Sequence, residues 1–198
     1  MAGDELLIRC AIPLLPLLVL AACGNAPIHY YSLAPVPSAG LLAHGHALKP
    51  PIEVGDVPVP PIVDRNGVVV SAGDDRLDVS AEDQWGAPLG QLIQQALTED
   101  LTSRLPPGSV LQPGTVAPPS GVRVLTLDIS DFVGDTDGHV TLAADWALVV
   151  GGTSTVIRRG HVRIHTQAAS GNVDAIVPAM SQALGRLADH LALRLVAR

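Results

Sequence analysis

The chain is poor in cysteine, in aromatic residues and in positive charge. Its 198 residues include two Cys, two Trp, two Tyr and one Phe. A net charge of −7 argues against a nucleic-acid interface, which needs clustered positive charge. So few aromatic rings also argue against a platform on which bases or sugars stack. With 47% hydrophobic and 16% charged residues, the chain is nevertheless a folding sequence, long enough for one ordinary domain.

Several catalytic signatures are also missing from the sequence. The hydrolase elbow G-x-S-x-G, the dinucleotide motif G-x-G-x-x-G, the P-loop and C-x-x-C do not occur. His44 and His46 form an H-x-H in a proline-rich loop, but no third and fourth metal ligands lie nearby in the sequence. We therefore predict no catalytic residue and no metal site, and we interpret the two histidines as part of a solvated loop.

The N-terminus carries the most specific motif of the chain. An apolar run from Cys10 to Ala21 has the length of a signal-peptide core and is too short to span a bilayer. It ends in Leu20-Ala21-Ala22-Cys23-Gly24, which resembles the bacterial lipobox of lipoprotein precursors. The sequence therefore predicts cleavage between Ala22 and Cys23 and a covalent lipid on Cys23, with no other cofactor.

The cysteine count supports this interpretation. Cys10 leaves with the signal peptide, so Cys23 is the one thiol of the mature chain, and acylation consumes it. The residue after Cys23 is Gly24, whereas an Asp at this position would resemble an inner-membrane retention signal. For a Gram-negative host, we therefore expect the periplasmic face of the outer membrane. The predicted organisation is a signal peptide over 1–22, a lipidated tether over 23–27 and a single domain over 28–198.

Two amphipathic helices are predicted from apolar residues at helical spacing. The first runs from Leu89 to Leu105 and is stopped by Pro106-Pro107-Gly108. Its polar face lacks the Lys and Arg of a membrane-surface helix, so we assign its apolar face to the core. The second covers roughly residues 173–197, unless it begins at Pro178, since Pro is tolerated in a first helical turn.

The remaining elements are predicted as strands. A first strand covers 28–33, residues 51–61 are extended but interrupted by prolines, and 68–70 with 77–80 suggest a short hairpin. Three long strands follow over 122–133, 138–150 and 154–167, joined by turns at Asp137-Gly138 and Gly151-Gly152. The fold class is therefore α/β with mixed α+β character: a mixed, largely antiparallel sheet with the two helices packed on it.

One strand carries alternating basic side chains. Arg159, His161, Arg163 and His165 share one face of the 154–167 strand, and Val162 and Ile164 lie on the other. This pattern is typical of a solvent-facing strand surface. The alternative is a cationic strip for lipid headgroups or for an acidic partner.

Several segments together resemble one known family, the ABC-type transport auxiliary lipoproteins of the PqiC-like (YmbA-like) group. The matching segments are Tyr30-Tyr31-Ser32-Leu33, Val54 to Arg65, Gln84 to Leu89, Leu105-Pro106, Phe132 and Leu142-x-x-x-Trp146. Together they cover residues 23–198 in order. The chain departs from the pattern at Ile62-Val63, where Tyr or Phe is expected before Asp64-Arg65, and at Gln84, where Arg is common.

The resemblance implies a three-layer fold and a non-catalytic accessory of an envelope lipid-transport system. Its expected partner is an MCE-domain protein of an ABC-type or related system, and self-assembly into a homo-oligomer is left open. The predicted partner surface contains Pro60, Asp64, Arg65 and Trp85, with Arg159 and Arg163 from the basic strand. For Trp85, packing at a helix N-terminus is an equally good interpretation. The rival functions are an outer-membrane scaffold lipoprotein without a transport partner and an envelope hydrolase with an unrecognised site.

Overall fold

The structure is a computed structural model that describes residues 26–38, 45–118 and 120–196. The predicted signal peptide 1–22, its cleavage site at Ala22 and the lipidation residue Cys23 lie outside the described residues, as does His44. The predicted division into signal peptide, tether and single domain therefore stays a prediction. The elements, in chain order, are β1 (His29–Tyr31), β2 (Ile52–Val54), β3 (Gly67–Ser71), β4 (Leu77–Trp85), α1 (Leu89–Arg104), β5 (Val110–Leu111), β6 (Arg123–Asp135), β7 (His139–Val150), β8 (Val156–Gln167) and α2 (Val173–Val196).

The strands form one eight-stranded sheet built around β6. On one side of β6, its first residues pair with β2 and its last residues pair with β3. β2 continues to β5, and β3 continues to β4 and β1. On the other side, β6 pairs with β7 and β7 pairs with β8. The sheet therefore divides into two short branches on one side of β6 and continues as two long strands on the other.

The predicted α/β class with a mixed sheet is confirmed, but its largely antiparallel character needs correction. Among the described strands, four of the seven pairings are parallel: β1–β4, β2–β5, β2–β6 and β3–β6. The three antiparallel pairings follow hairpins, which turn signals in the sequence reveal. The parallel pairings join segments far apart in the chain, and no local signal marks them. The strand β5 was missed because its two residues lie in a turn-rich stretch.

The first helix agrees with its predicted pattern. Its apolar stripe is buried, and the chain leaves the helix at Leu105, whose N–H donates to the carbonyl of Leu101 at 2.9 Å. Leu105 is followed directly by the prolines that were predicted to stop the helix. The sequence period and its stop signal therefore located α1 correctly.

The second helix begins before its proline. Asn172 caps it, because the Asn172 side chain accepts from the N–H of Ala175 at 3.0 Å. Pro178 consequently lies inside the helix and on its exposed side, and the alternative start at Pro178 is wrong. The capping bond gives the backbone N–H of Ala175 an acceptor in the first turn. Burial of Ile176 and Val177 holds that turn against the core.

The two helices pack on different parts of the sheet and on each other. α2 packs against β6, β7 and β8, whereas α1 packs against β2, β5 and α2. The resemblance implied three layers. Among the described residues, the opposite face of β6–β8 carries exposed side chains such as Asp128, Asp145 and His161 rather than a helix. Neither described helix is long and apolar enough to cross a membrane.

Candidate functional site

The proline-rich segment between β2 and β3 packs against the start of α1. Val57 and Val63 are buried and anchor its two ends. Gly90 lies so close to the backbone oxygen of Val57 that a side chain at position 90 would collide with it. Gln94 of α1 also donates to the carbonyl of Val54 at 3.0 Å. The segment is therefore a well-supported loop rather than a loose connection.

The exposed side of this segment and the neighbouring Tyr30 of β1, which borders the same hollow as Asp64 and Arg65, form what we call the proline surface. It consists of Tyr30, Pro60, Ile62, Asp64 and Arg65. The N–H groups of Val63 and Asp64 both donate to the carbonyl of Pro60, which closes a turn and projects Ile62 outward. Ile62 is 57% exposed and Tyr30 is 69% exposed, whereas Pro60 is half-buried. Asp64 and Arg65 are exposed beside them. Exposed apolar side chains together with exposed charges are a composition found at protein-binding surfaces.

Trp85 lies next to the proline surface but is not part of it. Its indole is 6% exposed and belongs to the core, while its backbone N–H donates to the carbonyl of Asn66 at 2.7 Å. The structure thus places Trp85 at the same hollow as Asp64 and Arg65, two other residues of the predicted partner surface. The burial favours packing at the N-terminus of α1 over direct contact with a partner, and the partner role of Trp85 stays a prediction.

The first strand is tied to α2 by its tyrosine. The Tyr31 hydroxyl donates to the carboxylate of Asp174 at 2.7 Å and lies 3.3 Å from that of Asp83. The hydrogen bond to Asp174 is the main cause of the raised pKa of Tyr31, and burial and the Asp83 charge add to it. His29 also contacts Asp83 at 3.2 Å. The strand nearest to the predicted lipid anchor is therefore held against both the sheet and the last helix.

The basic side chains of β8 lie on one exposed face, as their alternation predicts. We call Arg159, His161, Arg163 and His165 the β8 strip. Its two histidines and Arg163 have neighbours on β6 or β7: His161 lies 3.1 Å from Asp145, His165 lies 3.2 Å from Thr141, and Arg163 lies 4.0 Å from Asp131. Burial raises the pKa of Asp131, although the charges of Arg163 and His165 oppose this shift.

Arg159 differs from the other three members of the β8 strip. Its side chain makes no hydrogen bond or ion pair with residues 26–38, 45–118 and 120–196. It borders a shallow hollow with Thr126, Asp128 and Asp145. Of the two predicted basic contact residues, Arg159 is thus the more available, and Arg163 has a distant acidic neighbour.

A buried charge cluster between the helices was missed at the level of sequence. Arg104 and Asp100 of α1 are both buried, and their side chains are 3.2 Å apart. Arg104 also donates to Asp189 of α2 at 2.6 Å and to the carbonyl of Val36 at 3.1 Å. A cavity of about 330 Å³ lies beside this cluster, lined also by Pro37 and Leu193. The N–H groups of Arg104 already donate to protein acceptors. The cluster therefore has a structural role, because it holds α1, α2 and the segment after β1 together.

One signal for this cluster was present in the sequence. Asp100 and Arg104 are four residues apart on α1, and they follow Leu97 and Leu101 at the spacing of the apolar stripe. A pair of opposite charges placed on the buried side of a helix indicates an internal ion pair. The second acidic partner of Arg104, which is Asp189 on α2, could not be identified this way, because that contact depends on how the two helices cross.

The turn between β6 and β7 brings together three groups that metals can use. Ligand atoms of Asp135, Asp137 and His139 lie within 4.8 Å of one another. These residues already stabilise the turn, because the Asp135 carboxylate accepts from the backbone N–H groups of Asp137 at 2.9 Å and His139 at 2.8 Å. Partial burial opposes the shift, but these bonds lower the pKa of Asp135. The cluster is largely exposed and is explained by the turn. His46 of the H-x-H pair is exposed as well.

Comparison with known proteins identifies the family to which this sequence is similar. A family model described as the ABC-type transport auxiliary lipoprotein component matches residues 31–192. Two relatives named intermembrane transport lipoprotein PqiC, from Escherichia coli (strain K12) and Shigella flexneri, are each 29% identical over 131 residues, or 65% of this chain and 68% of the relative.

Two crystal structures share the fold. A protein from Xanthomonas campestris superimposes with a TM-score of 0.67 at 16% identity, covering 86% of this chain and 95% of its own. Another protein, described as uncharacterized, gives a TM-score of 0.68 at 20% identity, covering 86% of this chain and 99% of its own. At these identities the likeness concerns the fold.

Proposed function

Because the chain belongs to the family of ABC-type transport auxiliary lipoproteins, we propose that it is the outer-membrane docking component of an MCE-type intermembrane lipid transport system. The transport-auxiliary role follows from the family itself. The single observation that carries the proposal is the family match over residues 31–192, which includes most of the proline surface and the whole β8 strip. In this proposal Cys23 carries the lipid anchor, and the protein contributes a binding surface rather than a catalytic step.

The short distance between the anchor and the fold supports docking at a membrane. Five residues separate Cys23 from His29, the first residue of β1. Extended, they span about 18 Å at 3.3–3.6 Å per residue. Tyr31 then fixes β1 to α2 through Asp174, so the domain cannot move far from the bilayer surface. A dock held in this way presents its remaining surface to the periplasm.

The composition of the proline surface supports a protein partner. Exposed Ile62 and Tyr30 provide apolar contact area, and Asp64 and Arg65 provide charged groups at the rim. Pro60 lies in a turn whose backbone is already hydrogen-bonded, so binding costs little conformational entropy. We propose that the periplasmic end of an MCE-domain protein contacts this surface, and that Trp85 acts from the core by holding it in shape.

Affinity capture tests the partner. Full-length, lipidated protein is recovered from crosslinked and detergent-solubilised envelopes, and the captured proteins are identified by mass spectrometry. The expected result is an MCE-domain protein enriched above a control lipoprotein, and reduced in an Ile62→Glu variant. The matched control is Val116→Glu, which changes another exposed apolar residue away from the proline surface. Capture of outer-membrane assembly factors without an MCE protein would favour the scaffold function instead.

Membrane fractionation tests the location. The wild-type protein is expected in the outer-membrane fraction, and Gly24→Asp is expected to retain it in the inner membrane. Gly24→Ser is the matched control, because it changes the same position without adding charge. Recovery of the wild type with the inner membrane would contradict the proposed location, whatever partner is found.

A further inference from the structure

The last strand of the sheet leaves one edge open. Among the described residues, β8 pairs with β7 and with no other strand, although it is twelve residues long. Exposed Val156 and Ile157 begin the strand. A long open edge presents unpaired backbone N–H and C=O groups, which another strand can bind.

The direction of these groups follows from the ladder register and one side-chain contact. The N–H of Ala168 donates to the carbonyl of Gly138 at 2.7 Å, so residue 168 faces β7 and His165, three positions earlier, faces the open edge. Arg186 of α2 accordingly donates to the carbonyl of His165 at 2.8 Å. In an antiparallel ladder, alternate residues direct both backbone groups to the same side. Arg159, His161 and Arg163 therefore also direct their N–H and C=O groups to the open edge. Within the described part of the chain, no hydrogen bond to these outward groups is recorded.

The β8 edge is positively charged, whereas the chain as a whole is negatively charged. β8 contains three arginines and no acidic residue, whereas the whole chain has a net charge of −7. The side chain of Arg159 has no recorded ion pair among the described residues, and Arg163 reaches Asp131 at 4.0 Å. The same residues that offer backbone groups therefore offer positive side chains beside them.

We propose that the open edge of β8 is a strand-addition site for an extended, acidic segment of a partner protein. This inference rests on the proposed function, because the transport partner would supply the segment. Backbone hydrogen bonds to Arg159, His161 and Arg163 would provide affinity, and acidic side chains opposite Arg159 and Arg163 would provide specificity. Antiparallel pairing with the same edge of a second copy would place like charges together, which opposes that alternative.

Two synthetic peptides probe the edge directly. One alternates Val and Glu, the other alternates Val and Lys, and both are long enough to lie along residues 159–165. Binding to the full-length lipidated protein in detergent is measured by fluorescence anisotropy, and hydrogen exchange reports protection of individual amides. The Val-Glu peptide is expected to bind and to protect the amides of 159, 161 and 163, whereas the Val-Lys peptide is expected not to bind.

Three variants separate the backbone contribution from the charge. His161→Pro removes an outward N–H that β7 does not use, and Pro is tolerated at such an edge position. It is expected to abolish peptide binding while both arginines remain. Arg159→Glu with Arg163→Glu is expected to weaken the Val-Glu peptide by about tenfold or more, because two favourable cross-strand pairs become repulsive. Arg76→Glu, in the turn between β3 and β4 and outside both proposed contact surfaces, is the control and is expected to leave binding unchanged.

The outcomes distinguish this inference from the proposed function. If the Val-Glu peptide does not bind, or if His161→Pro binds it as the wild type does, strand addition at β8 is wrong. If the wild type self-associates and the double arginine variant does not, the edge belongs to a second copy and the inference is overturned. Capture of an MCE protein by the wild type and equally by His161→Pro would overturn the inference and leave the proposed function standing. Capture of no MCE protein would reject the proposed function, even with a bound peptide.

Discussion

Arg104 of α1 and Asp189 of α2 form an ion pair between the two helices, with 2.6 Å between Nε and the carboxylate oxygen. The two side chains differ in their surroundings, since Arg104 is 4% exposed and Asp189 is 61% exposed. The rest of the guanidinium group donates to Asp100 and to the carbonyls of Val36 and Gly185. One buried cation therefore connects α1, α2 and the segment that follows β1.

Replacing Arg104 should strongly destabilise the fold. Arg104→Met keeps an apolar stem but removes the charge, so Asp100 remains as a buried carboxylate without its counter-ion. We expect the free energy of unfolding to fall by about 3–5 kcal/mol in urea titrations. Asp189→Asn is the matched control, and a loss of about 1 kcal/mol or less is expected because water screens this exposed partner. Equal losses in both variants would contradict this account.

The stability of the protein should depend on pH through Asp100. Burial raises the pKa of Asp100 to about 6, and this outweighs the lowering by the Val36 N–H and by Arg104. The folded state therefore retains a proton that the unfolded state has lost, so the contribution of Asp100 is lost as pH rises through its folded pKa.

The size of this effect can be isolated with an amide. Relative to Asp100→Asn, which does not titrate, the wild type should lose about 3 kcal/mol of unfolding free energy between about pH 3 and pH 7. Urea titrations of both proteins across this range measure the difference. A pH-independent difference, or a carboxyl resonance of Asp100 that titrates near its ordinary pKa, would contradict the prediction.

Trp85 should behave as a core residue. Its side chain is 6% exposed, so Trp85→Ala is expected to lower the free energy of unfolding by about 3–5 kcal/mol. Ile62→Ala, on the exposed proline surface, is the control and is expected to change stability by about 0.5 kcal/mol or less. Thermal or urea unfolding measures both. If Trp85→Ala keeps its stability but loses the captured partner, Trp85 is a contact residue after all.

Gly160 should be required because it leaves space for the indole of Trp146, its partner across the β7–β8 ladder. A Cβ at position 160 would lie 3.0 Å from three indole atoms, so Gly160→Ala must displace the ring. We expect a loss of about 1–3 kcal/mol in unfolding free energy. In the Trp146→Phe background the same substitution should cost less, because the smaller ring relieves the contact. A double-mutant cycle with near-ultraviolet circular dichroism checks the coupling, and additive losses would exclude it.

Local patterns accounted for much of the fold. The stripe from Leu89 to Leu101 and the prolines after Leu105 located α1, and Gly138, with its φ of +83°, marks the turn that joins β6 to β7. Alternation along β8 assigned its basic side chains to one face. These predictions succeeded because helical period, strand period and turn conformation depend on residues close together in the chain.

Other features could not be predicted because they depend on distant segments. No local turn in the sequence indicates the parallel pairing of β1 with β4. The same is true of the strand β5, which pairs in parallel with β2. Trp85 could be assigned to the surface or to the core with equal reason, and its burial in the core depends on how distant segments pack around it. The same limit applied to the contact of Arg104 with Asp189, which depends on how the two helices cross.

The sequence by itself determined the two helices, the hairpins of the long strands, the basic face of β8 and the expectation of a lipid on Cys23. Each of these is encoded by neighbouring residues, through periodicity, turn chemistry or a contiguous motif. The tertiary structure alone decided that Arg104 links α1 to Val36 and α2, and that β8 ends the described sheet with an open cationic edge. Burial and strand neighbours are properties of the packed chain, since they arise when segments far apart in sequence remove each other from water.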